Sequence, residues 1–151
     1  MAILRVLVVV CIAGWLGIST FFSFAVAPLA FRVIDRGAAG QLVSATLPRY
    51  YHWGVILTAI ALIASAVLTA SGRQARVCAI VSTALCAAML GLLLWASIVV
   101  LPQAESARRA RDDSAFALAH RASVQANGLT MLAGVAVLLL EAFSRPGRRD
   151  R

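Results

Sequence analysis

Four long runs without a charged side chain dominate this sequence. With histidine counted as neutral, they cover residues 6–31, 50–72, 77–104 and 122–140. Each run has about the 20 residues that a helix needs to cross a bilayer, or more. The runs are continuous rather than alternating, which excludes the strands of a membrane β-barrel. Because hydrocarbon offers the backbone no hydrogen-bond partner, we predict an all-α, integral membrane four-helix bundle.

The composition supports the same fold class. Of the 151 residues, 62% are hydrophobic and 13% are charged, whereas a soluble domain has about 25% charged residues. None of the four runs has the charged outer face that a soluble helix carries. A soluble helical bundle is therefore excluded, and we expect the lipid bilayer to be the main partner of the chain.

We expect a single domain over residues 1–143, followed by a basic, disordered tail at 144–151. The predicted spans are residues 3–31, 52–71, 77–101 and 120–143. The first span also resembles a signal peptide, with an Ala25-Val26-Ala27 sequence like a cleavage site. Its apolar run is longer than that of a signal peptide, and Pro28 would hinder cleavage. We therefore interpret it as the first helix.

Two longer connections separate the spans on one side of the membrane. In the first, residues 38–47 are predicted to form a short interfacial helix that ends at Pro48. In the second, Pro102 marks the end of the third span, and Asp113 or Ser114 is expected to cap the fourth helix. Both helix pairs share a coarse order of apolar run, proline, charged connection and histidine, without a matching motif beneath it.

The net charge of +8 comes from arginine alone, since the chain has no lysine. Nucleic-acid binding would need a basic soluble face with interleaved aromatic residues, which is absent. The arginines divide equally between the two membrane faces, but acids concentrate on the face of the long connections. We therefore expect both termini in the cytoplasm. The arginine-rich composition is typical of a GC-rich bacterial genome, which points to an inner membrane.

The three cysteines lie inside predicted spans and show no CxxC spacing. They are Cys11, Cys78 and Cys86. Cysteine in such positions behaves as a small apolar residue, so a disulfide framework is not expected.

The two histidines are the candidate ligands. His52 opens the second span and His120 opens the fourth, so both lie at the same membrane face. His120, Ser123 and Asn127 share one helix face. Imidazoles from facing helices hold haem b or a transition metal in many bundles, with Ser123 and Asn127 orienting the ring here. The alternative is that both histidines are hydrogen-bonded anchors at the interface.

Three function classes follow. The first is a membrane protein that binds haem or a metal through His52 and His120. The second is a non-catalytic membrane assembly or interaction factor, with a second copy or another membrane protein as partner. The third is a small-solute or metal transporter, which is disfavoured because no acidic residue lies at mid-membrane. No nucleophile–base arrangement is visible, so an enzyme is not expected.

Three blocks of the sequence resemble the transmembrane protein 205-like family. They are Trp15-Leu16-Gly17 with 21–31, Leu47-Pro48-Arg49-Tyr50-Tyr51-His52, and 116–123 with Asn127. The resemblance implies a small four-helix membrane domain without an assigned activity. A weaker similarity in architecture to the copper-resistance D and protoporphyrinogen-oxidase J membrane families implies histidine ligands.

Overall fold

The computed structural model describes residues 2–72 and 76–143, which form four long helical rods. The first rod comprises α1 (Ala2–Phe21), a π-helical segment (Phe22–Val26) and α2 (Ala27–Val33). The second rod is α3 (Arg36–Ala70). The third comprises α4 (Arg76–Trp95), a π-helical segment (Ala96–Val100) and α5 (Leu101–Ala110). The fourth is α6 (Asp113–Phe143).

All four rods are long and apolar enough to cross a membrane. The predicted all-α four-helix bundle is therefore confirmed. The basic tail predicted at 144–151 lies outside the described residues, as does the side chain of each arginine in the turn at 73–76.

The rods pack as a ring. α1 and α4 each contact both α3 and α6, whereas no Cα atom of α3 lies within 8 Å of one of α6 in the described part of the chain. The second and fourth rods therefore stand diagonally across the bundle. Its centre holds large side chains with less than 2% exposure, among them Ile12, Trp15, Met89 and Leu93.

Neither Pro28 nor Pro102 ends its helix, so the expected end of the third helix at Pro102 is wrong. Each proline lies two residues after a π-helical segment. The widened turn brings the amide of Ala27 to the carbonyl oxygen of Phe22, and that of Leu101 to the oxygen of Ala96. In this turn a backbone hydrogen bond spans five residues instead of four. The helix therefore accommodates the following proline, which has no N–H group to donate.

The two helix pairs share a detailed motif that the sequence pattern alone did not reveal. In both pairs a glycine (Gly17 or Gly91) precedes the π-helical segment by five residues. A serine, Ser23 or Ser97, is the second residue of that segment. In both pairs a connection and a second long helix follow, α3 after the first rod and α6 after the third, and this helix runs back across the bundle. The two helical hairpins therefore share an architecture in which a π-helical segment precedes a proline in the first rod of each pair.

The first connection is far shorter than predicted. α3 begins at Arg36, where the Asp35 carboxylate accepts a hydrogen bond of 3.0 Å from the amide of Ala38. The helix then runs through Pro48 without a break. The prediction of a separate interfacial helix ending at this proline is therefore wrong. A proline is tolerated inside a long membrane helix where neighbouring groups satisfy the freed carbonyl.

The second connection consists of Arg111 and Asp112 alone. Arg111 has a left-handed backbone with φ of 57°. The Asp112 carboxylate accepts hydrogen bonds from the Ala115 amide at 2.9 Å and from the Ser114 hydroxyl at 2.6 Å. The cap of α6 is thus Asp112, which lies one residue before the predicted Asp113 and two before the predicted Ser114.

Candidate functional site

Both candidate histidine side chains are exposed. His120 is the eighth residue of α6 and lies near the second connection. His52 is the seventeenth residue of α3 and lies halfway along that helix, so the prediction that it opens the second helix is wrong. The His120 ring stacks on Phe116, with ring centroids 6.1 Å apart and planes inclined by 8°. His52 lies on α3 and His120 on α6, which are the diagonal pair of rods. The structure therefore does not bring the two imidazoles together inside the bundle. Their role as ligands stays a prediction.

The residues beside the histidines do meet. The Tyr51 hydroxyl lies 2.7 Å from the Ser123 hydroxyl, across the bundle. Tyr51 directly precedes His52, and Ser123 lies one helical turn after His120. This hydrogen bond brings Tyr51 and Ser123 to the same level along the bundle, so the two histidines differ in level by about one helical turn.

Asn127 is the centre of a larger network that joins three rods. Its amide oxygen accepts hydrogen bonds from the hydroxyl groups of Ser19, at 3.1 Å, and Tyr50. Its amide nitrogen donates to the Ser23 hydroxyl at 3.1 Å and lies 3.9 Å from the sulfur of Met131. An asparagine amide has two acceptor and two donor positions, and these partners account for all four. We call this set of side chains the Asn127 network.

Aromatic rings enclose the Asn127 network. The Tyr50 ring lies 4.9 Å from Trp15, 5.0 Å from Phe22 and 5.2 Å from Tyr51, measured between ring centroids. These separations are those of favourable aromatic pairs. Tyr50 and Tyr51 are almost fully buried. The two tyrosines therefore contribute to the interior, although their position in the sequence is equally typical of an aromatic anchor at the membrane surface.

A glycine allows this aromatic cluster to form. A Cβ atom on Gly54 would lie 2.7 Å from Cζ3 of Trp15, closer than any normal contact. The indole nitrogen of Trp15 has no hydrogen-bond partner in the described part of the chain. Packing against α3, rather than a polar contact, thus positions the ring.

A second polar cluster lies at the opposite end of the bundle. Arg5 donates from Nε to a Glu141 carboxylate oxygen at 3.2 Å and from Nη2 to the Glu141 carbonyl oxygen. The Ser82 hydroxyl donates to the other carboxylate oxygen at 3.2 Å. Glu141 is only 4% exposed. The local sequence pattern does not pair these residues, although a four-span topology brings both chain ends to one face.

The two clusters differ in chemistry. The Asn127 network contains only neutral hydroxyl and amide groups, which suit helix association more than acid–base catalysis.

Within residues 2–72 and 76–143, no group of three or more His, Cys, Asp or Glu side chains is placed to hold a metal ion. Ser123 and Asn127 make their hydrogen bonds to tyrosine and serine side chains.

Comparison with known proteins finds a domain of unknown function. The family model described as "Domain of unknown function (DUF4149)" matches residues 10–113, which is more than half of the chain. An "Uncharacterized protein" of Aquifex aeolicus (strain VF5) is 46% identical over 48 residues, covering 32% of this chain and 36% of that protein. The match thus spans about a third of the relative's length. No solved structure matches significantly.

These matches confirm the coarser part of the predicted resemblance, a small domain of unknown function. The narrower relationship to the transmembrane protein 205-like family stays a prediction. Because the family model covers most of the first three rods, including both π-helical segments, this chain belongs to the DUF4149 family.

Proposed function

We propose that this protein is a non-catalytic membrane assembly or interaction factor. In this account the bundle is a rigid scaffold that acts through the surface it presents to a second copy or to another membrane protein. The main observation that supports the proposal is the Asn127 network. Its hydroxyl and amide groups are engaged with one another, and the network ties the first, second and fourth rods together.

The physical reason is the cost of polar groups in a membrane interior. Hydrogen bonds between membrane helices contribute roughly 0.6–2 kcal/mol each. Groups that bind or transform a ligand need free donors, acceptors or charges. The amide of Asn127 has its full set of partners within the protein, so its chemistry favours a fixed helix arrangement over ligand binding.

The test is the mass of the complex in mild detergent. We expect the wild-type chain to form a complex of defined stoichiometry that is larger than a monomer. Asn127→Leu should lose this complex, because the helices that present the surface lose their fixed arrangement. Gln125→Leu, an exposed change on the same helix, should retain it. A strictly monomeric wild-type protein with no co-purifying partner would overturn the proposal.

A haem b or transition-metal site at His52 and His120 is the second candidate. The Tyr51–Ser123 hydrogen bond supports it, because this contact holds the two histidines within about one helical turn of the same level along the bundle. The exposure of both rings on diagonal rods counts against it, since a single bound group would have to bridge them from outside the core. We therefore place this function second.

The orientation is also a proposal. We infer a bacterial inner membrane with both termini in the cytoplasm, since the predicted basic segments at the chain ends hold fewer acids than the opposite face. Fusions of alkaline phosphatase and of green fluorescent protein to the C-terminus test this. Fluorescence without phosphatase activity is expected, and the reverse pattern would show the opposite orientation.

A further inference from the structure

α5 is joined to the rest of the third rod through a weak point in the helix. Its first residue, Leu101, donates its amide to the carbonyl oxygen of Ala96. The carbonyl of Ser97 would pair with Leu101 in an α-helical turn and with Pro102 in a π-helical turn. The Leu101 amide is already engaged and proline has no N–H group, so within the described rod this carbonyl has no helical donor. Helices bend at prolines and at π-helical turns.

Open space beside α5 leaves room for such a bend. A groove of about 740 Å³ lies between α5 and α6 at the end of the bundle that carries the connections. Ser106, Ala107 and Ala110 line it from α5, and Ala115 and Ala119 line it from α6. Because these side chains are small, a rotation about the π-helical segment carries α5 into open space rather than into packed side chains.

Arg108 holds α5 against α3. Its Nη1 atom donates to the carbonyl oxygen of Gly40 at 2.9 Å and to the hydroxyl group of Ser44 at 2.6 Å. A Cβ atom on Gly40 would lie 3.3 Å from Nη2 of Arg108, so a glycine here lets the guanidinium group approach the backbone of α3. Hydrogen bonds from a charged donor are stronger than those between neutral groups. This contact therefore fixes the far end of α5.

The contact is also reversible. Both acceptors are neutral, and the Arg108 side chain is only half-buried. Water can therefore replace these two acceptors at small cost. The Arg5–Glu141 pair at the opposite end of the bundle differs, since its acceptor is a buried carboxylate.

We propose that α5 is a hinged arm, with the π-helical segment Ala96–Val100 as its hinge and Arg108 as its latch. Ser44 and Tyr51 lie two helical turns apart on one face of α3, and the Tyr51 hydroxyl lies 2.7 Å from that of Ser123. Release of the latch opens the seam between α3 and α5 towards this pair. The arm thus controls access to the polar interior of the bundle. This role goes beyond the scaffold function and does not depend on it.

The distance between two spin labels measures the position of the arm. The full chain, with its three cysteines replaced by alanine, is labelled at Gln41→Cys on α3 and Arg109→Cys on α5, two exposed positions. Since α5 has 10 residues and is about 15 Å long, a rotation of about 20° moves its far end by roughly 5 Å. We expect Arg108→Met to add a population whose distance is longer by at least this amount.

Three comparisons separate motion of the arm from loosening of the bundle. Arg36→Met, an exposed change at the start of α3, should leave the distance unchanged. A second label pair, Gln41→Cys with Ala117→Cys on α6, should keep its distance in Arg108→Met. Adding Pro102→Ala restores the missing amide of the hinge, which should stiffen it and reduce the new population at least about twofold.

Three results would overturn the proposal. The first is an unchanged distance between α3 and α5 in Arg108→Met. The second is an equal shift in Arg36→Met. The third is an equal shift of the α3–α6 label pair, which would show that the whole bundle loosens. If Arg108→Met does not fold, Ser44→Ala removes one acceptor and should give the same shift in a smaller population. Its absence there would equally overturn the proposal.

Discussion

The hydroxyl group of Tyr50 donates a hydrogen bond to the amide oxygen of Asn127 across the diagonal of the bundle. The helices that carry these two residues have no Cα atoms within 8 Å of each other among the described residues. The contact therefore depends on the length of the tyrosine side chain. It connects two rods that backbone packing leaves apart, one from each helical hairpin.

Replacing Asn127 with leucine should lower the free energy of unfolding by about 1–3 kcal/mol, because the hydroxyl groups of Ser19 and Tyr50 lose their acceptor. Unfolding in mild detergent, followed by tryptophan fluorescence, measures the change. Gln125→Leu is exposed on the same helix and should change stability by less than about 0.5 kcal/mol. Equal effects of the two variants would show that the network is not stabilising.

Gly54→Ala should destabilise the protein by about 1–3 kcal/mol. The new methyl group would lie 2.7 Å from Cζ3 of Trp15, a fully buried ring that has no space to move. Gly91→Ala is the matched control, because nothing lies within 4 Å of its Cβ position. That variant should be neutral or gain up to about 1 kcal/mol. Melting temperatures of the two variants, measured side by side, check the difference, and a stable Gly54→Ala protein would contradict the packing.

Glu141→Ala should cost about 1.5–3 kcal/mol of stability, because it removes the buried carboxylate that accepts hydrogen bonds from Arg5, whose side chain is 30% exposed, and from Ser82. Glu105→Ala removes an exposed partner of Arg109 and should cost less than about 1 kcal/mol. Denaturant titration of both variants tests the contrast. Similar losses in the two would mean that burial does not strengthen the Arg5–Glu141 pair.

The Asp112 cap predicts a defined pH dependence. Its pKa is lower in the folded protein than the usual value near 3.8, owing to the hydrogen bonds from Ala115 and Ser114. A lowered folded pKa stabilises the protein above the usual value, and this contribution is lost as the pH falls through the folded pKa. The melting temperature of the wild type should therefore fall, relative to that of Asp112→Asn, below about pH 4. Parallel profiles from pH 7 to pH 3 would contradict this role for the carboxylate.

The number of rods was predictable from the sequence, because long charge-free runs have one solution in a bilayer. The helix ends were not. Pro102 is a helix breaker in a regular α-helix, and only the preceding π-helical turn makes it compatible with a continuous rod. Such a turn leaves no simple pattern of apolar residues.

The hydrogen-bond partners of the polar residues were not predictable from the sequence either. Asn127 was a candidate because of its helix face, but its main partner Tyr50 has the sequence context of a surface anchor. Glu141 follows the last apolar run, a position that is typical of a carboxylate in contact with water, and instead it is buried against Arg5. Which helix faces meet depends on how the rods pack, and a single sequence does not encode that in local periodicity.

The visible absorption spectrum, measured with the metal content, tests the central claim most directly. The protein is expressed with haem and metals supplied, purified in mild detergent, and compared with His52→Ala and His120→Ala. A scaffold predicts no Soret band, less than stoichiometric metal, and no change in either variant. A Soret band or a stoichiometric metal that both histidine variants lose would contradict the scaffold account and make ligand binding the function.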